Sequence, residues 1–364
     1  MAIARFTIMG CIHKWKLVLM LLVIIFFTLS FTSSFTETVV NHSNGDLQLL
    51  GRYLFYDTRL SYNQTKSCAS CHDPSIAFSD GYRTSVGVDG YALKRNAPSL
   101  INARYKASLT WGDSMVSSFS KQLPLPFFNQ HPKELGWENE QAIVERLQDY
   151  SAYKTLFKKN FGKEKNPINI KNIFKALAAF EETIIANGSV YDAYINGNTA
   201  VLTDNQKMGM QLFFSKKLKC GNCHAWEQPN TIVKFTFENI GLYNINNSGN
   251  YPHTDQGLFE ITKRQPDKGK FRVPSLRNVL LTAPYTHDGT VATIEEMIDI
   301  YASGGRDIKA GELIGDGRMN PNKSKLVSGF VLSKKEKQNL IAFLQSFTDT
   351  SYMQNKKLLF VALN

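Results

Sequence analysis

Four of the chain's five cysteines fall in two short clusters, Cys68-Ala69-Ser70-Cys71-His72 and Cys220-Gly221-Asn222-Cys223-His224. Two thiols two residues apart on a tight turn can add to both vinyl groups of a haem. A histidine that follows at once can turn inward and give a nitrogen to the iron, and C-x-x-C-H is the attachment signature of c-type haem. One such cluster alone could also be a redox C-x-x-C, a disulfide or half of a zinc site, and four cysteines with two histidines could in principle hold zinc. Zinc gives no reason for a histidine to follow directly in both copies. The pattern therefore points to two covalently bound haem c groups, anchored by Cys68, Cys71, Cys220 and Cys223 and ligated by His72 and His224. Cys11 stands apart near the N-terminus.

The clusters belong to a longer repeat. Gly51, Leu54 and Phe55 precede the first, and Gly209, Leu212 and Phe213 precede the second. Downstream, Arg95, Pro98, Ser99 and Leu100 are echoed by Arg272, Pro274, Ser275 and Leu276, with one residue fewer between the Arg and the Pro. A duplicated unit also suits 364 residues, since domains run to roughly 100 to 200 residues.

The elements that must position these residues read as mainly helical. Ala142 to Phe157 and Ile170 to Ile185 carry apolar residues at three-to-four spacing, the mark of core-facing helices. Ser333 is an N-cap for Lys334 to Phe347. Strand signals are weak, the best being Thr231 to Phe237 as a short hairpin or extended loop; Gly241 to Gly257 reads as loop and Thr199 to Asn205 as the joint between halves. The expected fold is mainly α, with two cytochrome c-like domains at residues 37–198 and 199–350 and a C-terminal tail at 351–364.

Residues 1–36 form a further segment. Lys14 and Lys16 precede the apolar run Leu17 to Phe31, and the small polar residues Thr32, Ser33 and Ser34 follow. This is export-signal architecture, and the run is shorter than the roughly 20 residues that comfortably span a bilayer. A cleaved signal and a periplasmic protein are expected, with an uncleaved anchor as the alternative. Formal net charge is +11, and the first 36 residues hold three of the 42 basic residues and none of the 31 acids, which leaves +8. The remaining positive charge is scattered, with no helix-turn-helix, zinc-finger or RNA-recognition signature, so nucleic acid is not an expected partner. At 43% hydrophobic, with 24 Gly and 12 Pro, the chain is neither collagen-like nor disordered.

With its two C-x-x-C-H motifs, Trp111, the Gln122 to Glu134 segment, Arg95-Asn96-Ala97-Pro98-Ser99-Leu100, Val273-Pro274-Ser275-Leu276-Arg277-Asn278, Leu281-Thr282-Ala283-Pro284-Tyr285 and His287-Asp288-Gly289, the chain resembles the bacterial dihaem cytochrome c peroxidases. The resemblance runs from about Asp46 to Phe347. It extends to the branch that resembles the dihaem enzyme maturing the tryptophan tryptophylquinone of methylamine dehydrogenase.

The resemblance implies that His72 ligates a peroxidatic haem and His224 an electron-transfer haem. It implies that Glu134 moves the proton when the O–O bond is split, as a positioned carboxylate can, and that Gln122 lines the same pocket, although the interval between the two is longer than usual. Trp111 corresponds to the family's tryptophan between the haems. Many members close the first iron with a distal histidine in the loop after the first motif. Here that loop, Ser85-Val86-Gly87-Val88-Asp89-Gly90, has none and Val88 stands in its place. An open haem with no reductive activation is implied, His131 being the nearby residue that could cap it instead. At the second haem Tyr301 falls at the distal ligand position, as in the quinone-maturing branch, with Met297 and Met319 as alternatives; Met raises a haem's potential and an anionic Tyr favours oxidised iron. Asn96, Thr282 and Pro284 match the family's calcium ligands, an oxygen set that suits a hard cation.

The expected function is reduction of hydrogen peroxide to water with electrons from a small redox protein, a cytochrome c or a cupredoxin. The alternatives are a dihaem oxidase that modifies a partner protein or an organic molecule, and a non-catalytic dihaem electron carrier. The family also suggests a homodimer.

Overall fold

The computed structural model describes residues 44–224 and 236–363. The export-signal segment and residues 231–235 of the expected hairpin lie outside them. Residues 43–364 make one compact unit, and its two halves repeat one arrangement.

In the first half, α1 (Asn44–Tyr56) opens the repeat, and α2 (Glu140–Gln148), α3 (Ser151–Phe161) and α4 (Ile170–Glu181) follow. In the second, α5 (Asp204–Phe213) precedes the second cysteine cluster, and α6 (Ile294–Ser303) and α7 (Lys334–Gln345) come after it. Each half is built on the crossing of its opening and closing helix, and the repeated glycines make that crossing close. A Cβ on Gly51 would stand 1.9 Å from the Ala176 carbonyl oxygen, and one on Gly209 would stand 2.0 Å from that of Asn339. The closing helices begin on Asn169 and Ser333, whose side chains accept from the Asn172 and Glu336 amides; in the second case Glu336 reaches back to complete a capping box.

Leu50, Leu54, Phe55, Ile173, Leu177 and Phe180 bury the apolar faces of α1 and α4, and Phe213, Leu340, Phe343 and Leu344 do the same for α5 and α7. Each such side chain contributes about 1.5–3 kcal/mol when fully withdrawn from water. The halves are tied by the Arg277–Asp192 pair at 2.6 Å, both side chains almost fully buried. The chain after α7 returns to the first half. Tyr352 and Leu358 join its core, the Tyr56 hydroxyl donates to the Leu358 carbonyl, and the Arg52 guanidinium donates to that of Lys356.

Among the described residues, strands are confined to two antiparallel pairs of two residues each, Phe237–Glu238 with Phe271–Arg272 and Asp307–Ile308 with Gly315–Asp316. One helix expectation needs correction. The 142–157 stretch is two helices, because Tyr150 takes an extended backbone (φ −104°, ψ 117°) between α2 and α3. The Arg59 guanidinium sits 4.1 Å from the Tyr150 ring centre and 5.3 Å from that of Tyr153. This packing outweighs local helix periodicity, which reads straight through the break.

Candidate functional site

The two cysteine clusters adopt the same local form. Cys68–Ser70 and Cys220–Asn222 are single 3-10 turns. In each, the amide of the second cysteine donates to the carbonyl of the first at 3.2 Å and the histidine amide donates to that same carbonyl at 3.0 Å. Four residues are thus wound around one carbonyl, which brings both thiols to one side. None of the four thiols is in a disulfide. Burial pushes Cys220 up to about 12 and Cys223 to about 11, and raises Cys68 and Cys71 as well.

Each histidine is held by one ring nitrogen. His72 Nδ1 lies 2.9 Å from the Phe78 carbonyl oxygen, and His224 Nδ1 lies 3.2 Å from that of Pro274. A proton on Nδ1, held by the carbonyl, leaves Nε2 with a free lone pair and fixes the ring's orientation for a metal. Burial lowers both imidazoles, His224 to about 4, so both are neutral near pH 7 and fit to ligate a metal.

A large cavity opens beside the second cluster, lined by Cys220, Cys223, His224, Met297, Tyr301 and Leu344. Its walls are mainly apolar, with two thiols at one edge and a neutral imidazole and a half-buried phenol among the lining groups. That donor set fits a haem. Burial raises the Tyr301 phenol, and proximity to Cys223 and Cys220 raises it further. Met297, one turn earlier on α6, lines the same cavity, whereas Met319 is 72% exposed in a short turn.

The first cluster meets two acids, the buried Glu181 and the half-buried Glu134. Glu134 lies near enough for its charge to raise both Cys68 and Cys71, and burial pushes its own carboxyl up to about 7. Its loop is held by neighbours: the Leu135 amide donates to the Pro126 carbonyl, the Trp137 amide to that of Phe127, and the Trp137 indole to that of Leu60. Gln122 is half-buried at the end of the one-turn helix Phe119–Gln122. His131 is exposed and Val88 half-buried.

Trp111 lies on the wall of the second cavity. Its indole donates to the Asn96 carbonyl at 2.9 Å, and the Arg272 guanidinium stands 5.6 Å from its ring centre. Asn96, Thr282 and Pro284 each line that same cavity. The Asn96 amide group donates to the Tyr82 carbonyl, which turns its Oδ1 elsewhere.

Sequence reasoning passed over three buried ionisable residues. His287 is stacked on Phe271 with ring centres 3.4 Å apart, and burial lowers it to about 4. Asp255 takes a two-pronged ion pair from Arg95 at 2.7 and 2.8 Å. Its partner is 160 positions away, so no local spacing could reveal it. Glu181 is 4% exposed on the last turn of α4, where the helix pattern marks it only as a polar position.

Comparison with known proteins agrees with this geometry. Residues 46–200 match the family model described as di-haem cytochrome c peroxidase. The methylamine utilization protein MauG of Methylorubrum extorquens is 30% identical over 298 residues, covering 82% of this chain and 76% of that protein. The cytochrome c551 peroxidase of Pseudomonas aeruginosa is 32% identical, covering 70% of this chain and 71% of that one. Among solved structures, a MauG-like protein associated with microbial copper homeostasis superimposes with a TM-score of 0.81 at 40% identity, covering 86% of this chain and 92% of that one.

Proposed function

This chain belongs to the di-haem cytochrome c peroxidase family, and from that membership we propose how its residues divide the work of reducing hydrogen peroxide to water. The overall reaction takes one peroxide, two electrons and two protons to two waters. A small redox protein, a cytochrome c or a cupredoxin, supplies the electrons one at a time.

Cys68 and Cys71 hold one haem and Cys220 and Cys223 the other through thioether bonds, with His72 and His224 as proximal ligands. Bound there, the haems supply the redox centre that meets peroxide and a second one that stores an electron. The remaining work falls to side chains. Glu134 takes the proton from the near oxygen of peroxide and delivers it to the far one, so that the far oxygen leaves as water. A carboxyl near pH 7 suits a group that must both accept and donate. Gln122 hydrogen-bonds the bound oxygen, and Trp111 lies on the electron path between the two centres. The loop at Val88 leaves the first site open, with no activation step. Tyr301 ligates the second site, and Asn96, Thr282 and Pro284 hold a calcium ion.

The observation that carries this reading is the placement of Glu134, a half-buried acid whose charge reaches both thiols of the first C-x-x-C-H turn. Its test is Glu134→Ala, expected to cut peroxide turnover steeply while both haems stay spectrally intact. Unchanged turnover would remove Glu134 from the mechanism. The attachment chemistry and residues 1–36 both support a periplasmic location for the protein, and the family supports a homodimer.

A second reading keeps the centres and changes the substrate: an oxidase that modifies a partner protein or an organic molecule. Tyr301 in the second cavity and the absence of histidine between Asp73 and Arg104 favour it. Rapid peroxide turnover with a reduced cytochrome supports the peroxidase. A long-lived oxidised protein after peroxide treatment, with little turnover, supports the oxidase.

A further inference from the structure

The two halves can be matched position by position at their closing helices. The missing Cβ of Gly51 meets the Ala176 carbonyl and, at 2.8 Å, the Phe180 Cβ; that of Gly209 meets the Asn339 carbonyl and, also at 2.8 Å, the Phe343 Cβ. Asn102 and Asn278 are both left-handed (φ 56° and 55°). Their amides donate to the Ile184 and Phe347 carbonyls, and their Oδ1 atoms accept from the Ala186 and Asp349 amides. Residues 176, 180, 184 and 186 therefore answer to 339, 343, 347 and 349 with one constant offset. Position 181 answers to 344.

Leu344 lines the cavity of Cys220, Cys223 and His224. Glu181 holds the equivalent place in the first half, where an apolar residue would be expected. It is 4% exposed, and no hydrogen bond or ion pair from the described residues reaches its carboxyl oxygens. Its charge is the largest of those acting on the Cys68 thiol. An acid without a partner is costly to keep ionised in such a place, and burial alone pushes it up to about 8.

We propose that Glu181 is a proton-binding residue of the first haem pocket, taking up one proton from solvent as the haem held by Cys68, Cys71 and His72 accepts one electron. This rests on the haem assignment made above. In the step, the donor protein loses one electron, the iron passes from ferric to ferrous, and the Glu181 carboxylate gains one O–H bond; nothing else forms or breaks. The sign follows from electrostatics. The extra positive charge of the ferric site favours the carboxylate, and its loss favours the acid.

Other titratable groups share this field: Glu134 and Cys71 act on Cys68, and Asp80 and Lys106 act on His72. The two thiols become thioethers in the holoprotein and cease to titrate. Leu344 cannot titrate at all, so the second centre has no counterpart of Glu181 at this position.

The experiment is a spectroelectrochemical titration of the holoprotein from about pH 5 to about pH 9, the range that brackets a carboxyl raised by burial, in the wild type, Glu181→Gln and Glu181→Leu. In the wild type the potential of the first haem should fall with pH, at most by about 59 mV per unit, the one-electron equivalent of a tenfold change. Both variants should flatten that slope and leave the second haem unmoved. Glu134 titrates in the same range and keeps its share of the slope in both variants, so a wild-type slope near zero, or a slope in Glu181→Gln equal to that of the wild type, overturns the proposal. If Glu181→Leu fails to load haem, Glu181→Gln, which keeps the shape, decides alone. A pyridine haemochrome count separates the two levels: fewer than two covalent haems in the wild type overturns the haem assignment, whereas two haems with an unaltered slope overturn only the role of Glu181.

Discussion

The Val88 amide donates to the carbonyl oxygens of both Lys133 and Glu134, at 3.2 Å each. The loop that follows the first C-x-x-C-H motif is thereby clasped to the loop that carries the candidate catalytic acid. Gly87 makes the clasp close, since a Cβ there would stand 1.9 Å from the Lys133 carbonyl oxygen. The Asn63 side chain donates to the Val88 carbonyl at 2.8 Å and holds the far side.

Gly87→Ala tests whether this clasp positions Glu134. The new methyl must push the Lys133 carbonyl, and with it the Glu134 backbone, out of place. A displacement of about 1 Å at a catalytic group can cost on the order of 100-fold in rate. Peroxide turnover should fall by a factor of that order while covalent haem content stays at the wild-type level. Undiminished turnover would show that the clasp does not set the position of Glu134.

The pH dependence of turnover should carry the signature of Glu134. Its carboxyl is raised to about 7 by burial, and only the carboxylate can take a proton from peroxide. The rate at low peroxide should therefore climb as pH rises through about 7. Glu134→Gln should abolish that limb along with most of the activity, an effect of roughly 100- to 10,000-fold for a lost acid–base group. A limb that persists in the variant assigns it to another group.

The Asp192–Arg277 pair should matter to stability and not to chemistry. Asp192→Asn takes the carboxylate away from the buried Arg277 guanidinium and should cost up to about 3–5 kcal/mol in denaturant unfolding, the range for breaking a buried ion pair. Burial opposes ionisation of Asp192, but the Arg277 and Ser189 hydrogen bonds outweigh it and hold the carboxyl below its ordinary value of 3.8. A depressed folded-state value means the stabilisation is present above about pH 4 and is lost as pH falls through the folded value. The variant should lose less stability than the wild type on acidification below about pH 4, and equal acid sensitivity would refute the linkage.

Tyr301 and Met297 make opposite predictions for the second centre. An anionic tyrosine oxygen favours oxidised iron and a thioether favours reduced iron. Tyr301→Met should raise the potential of the second haem in a spectroelectrochemical titration, and Met297→Leu should leave it where it is. The reverse pattern makes Met297 the ligand.

Much of this was legible in residue types and spacing. The histidine directly after each C-x-x-C signals haem because the chemistry is local: one turn holds both thiols and the ligand. The repeated glycines signalled duplication, and the amphipathic spacing of residues 170–185 and 334–347 marked the closing helices, which end a few residues earlier at Glu181 and Gln345, because a helix that buries one face must repeat its apolar residues at about 3.6. Sequence could not show the break at Tyr150, which is held by a cation on another segment, nor the pairing of Arg95 with Asp255 across 160 positions. It could not distinguish Glu181 from a solvated helix acid, since polarity alone does not say which way a side chain faces. The identity of the chemistry was written in short motifs; the burial that sets proton affinity at Glu134 and Glu181 exists only once distant segments close around them, because desolvation is a property of packing and not of any one residue.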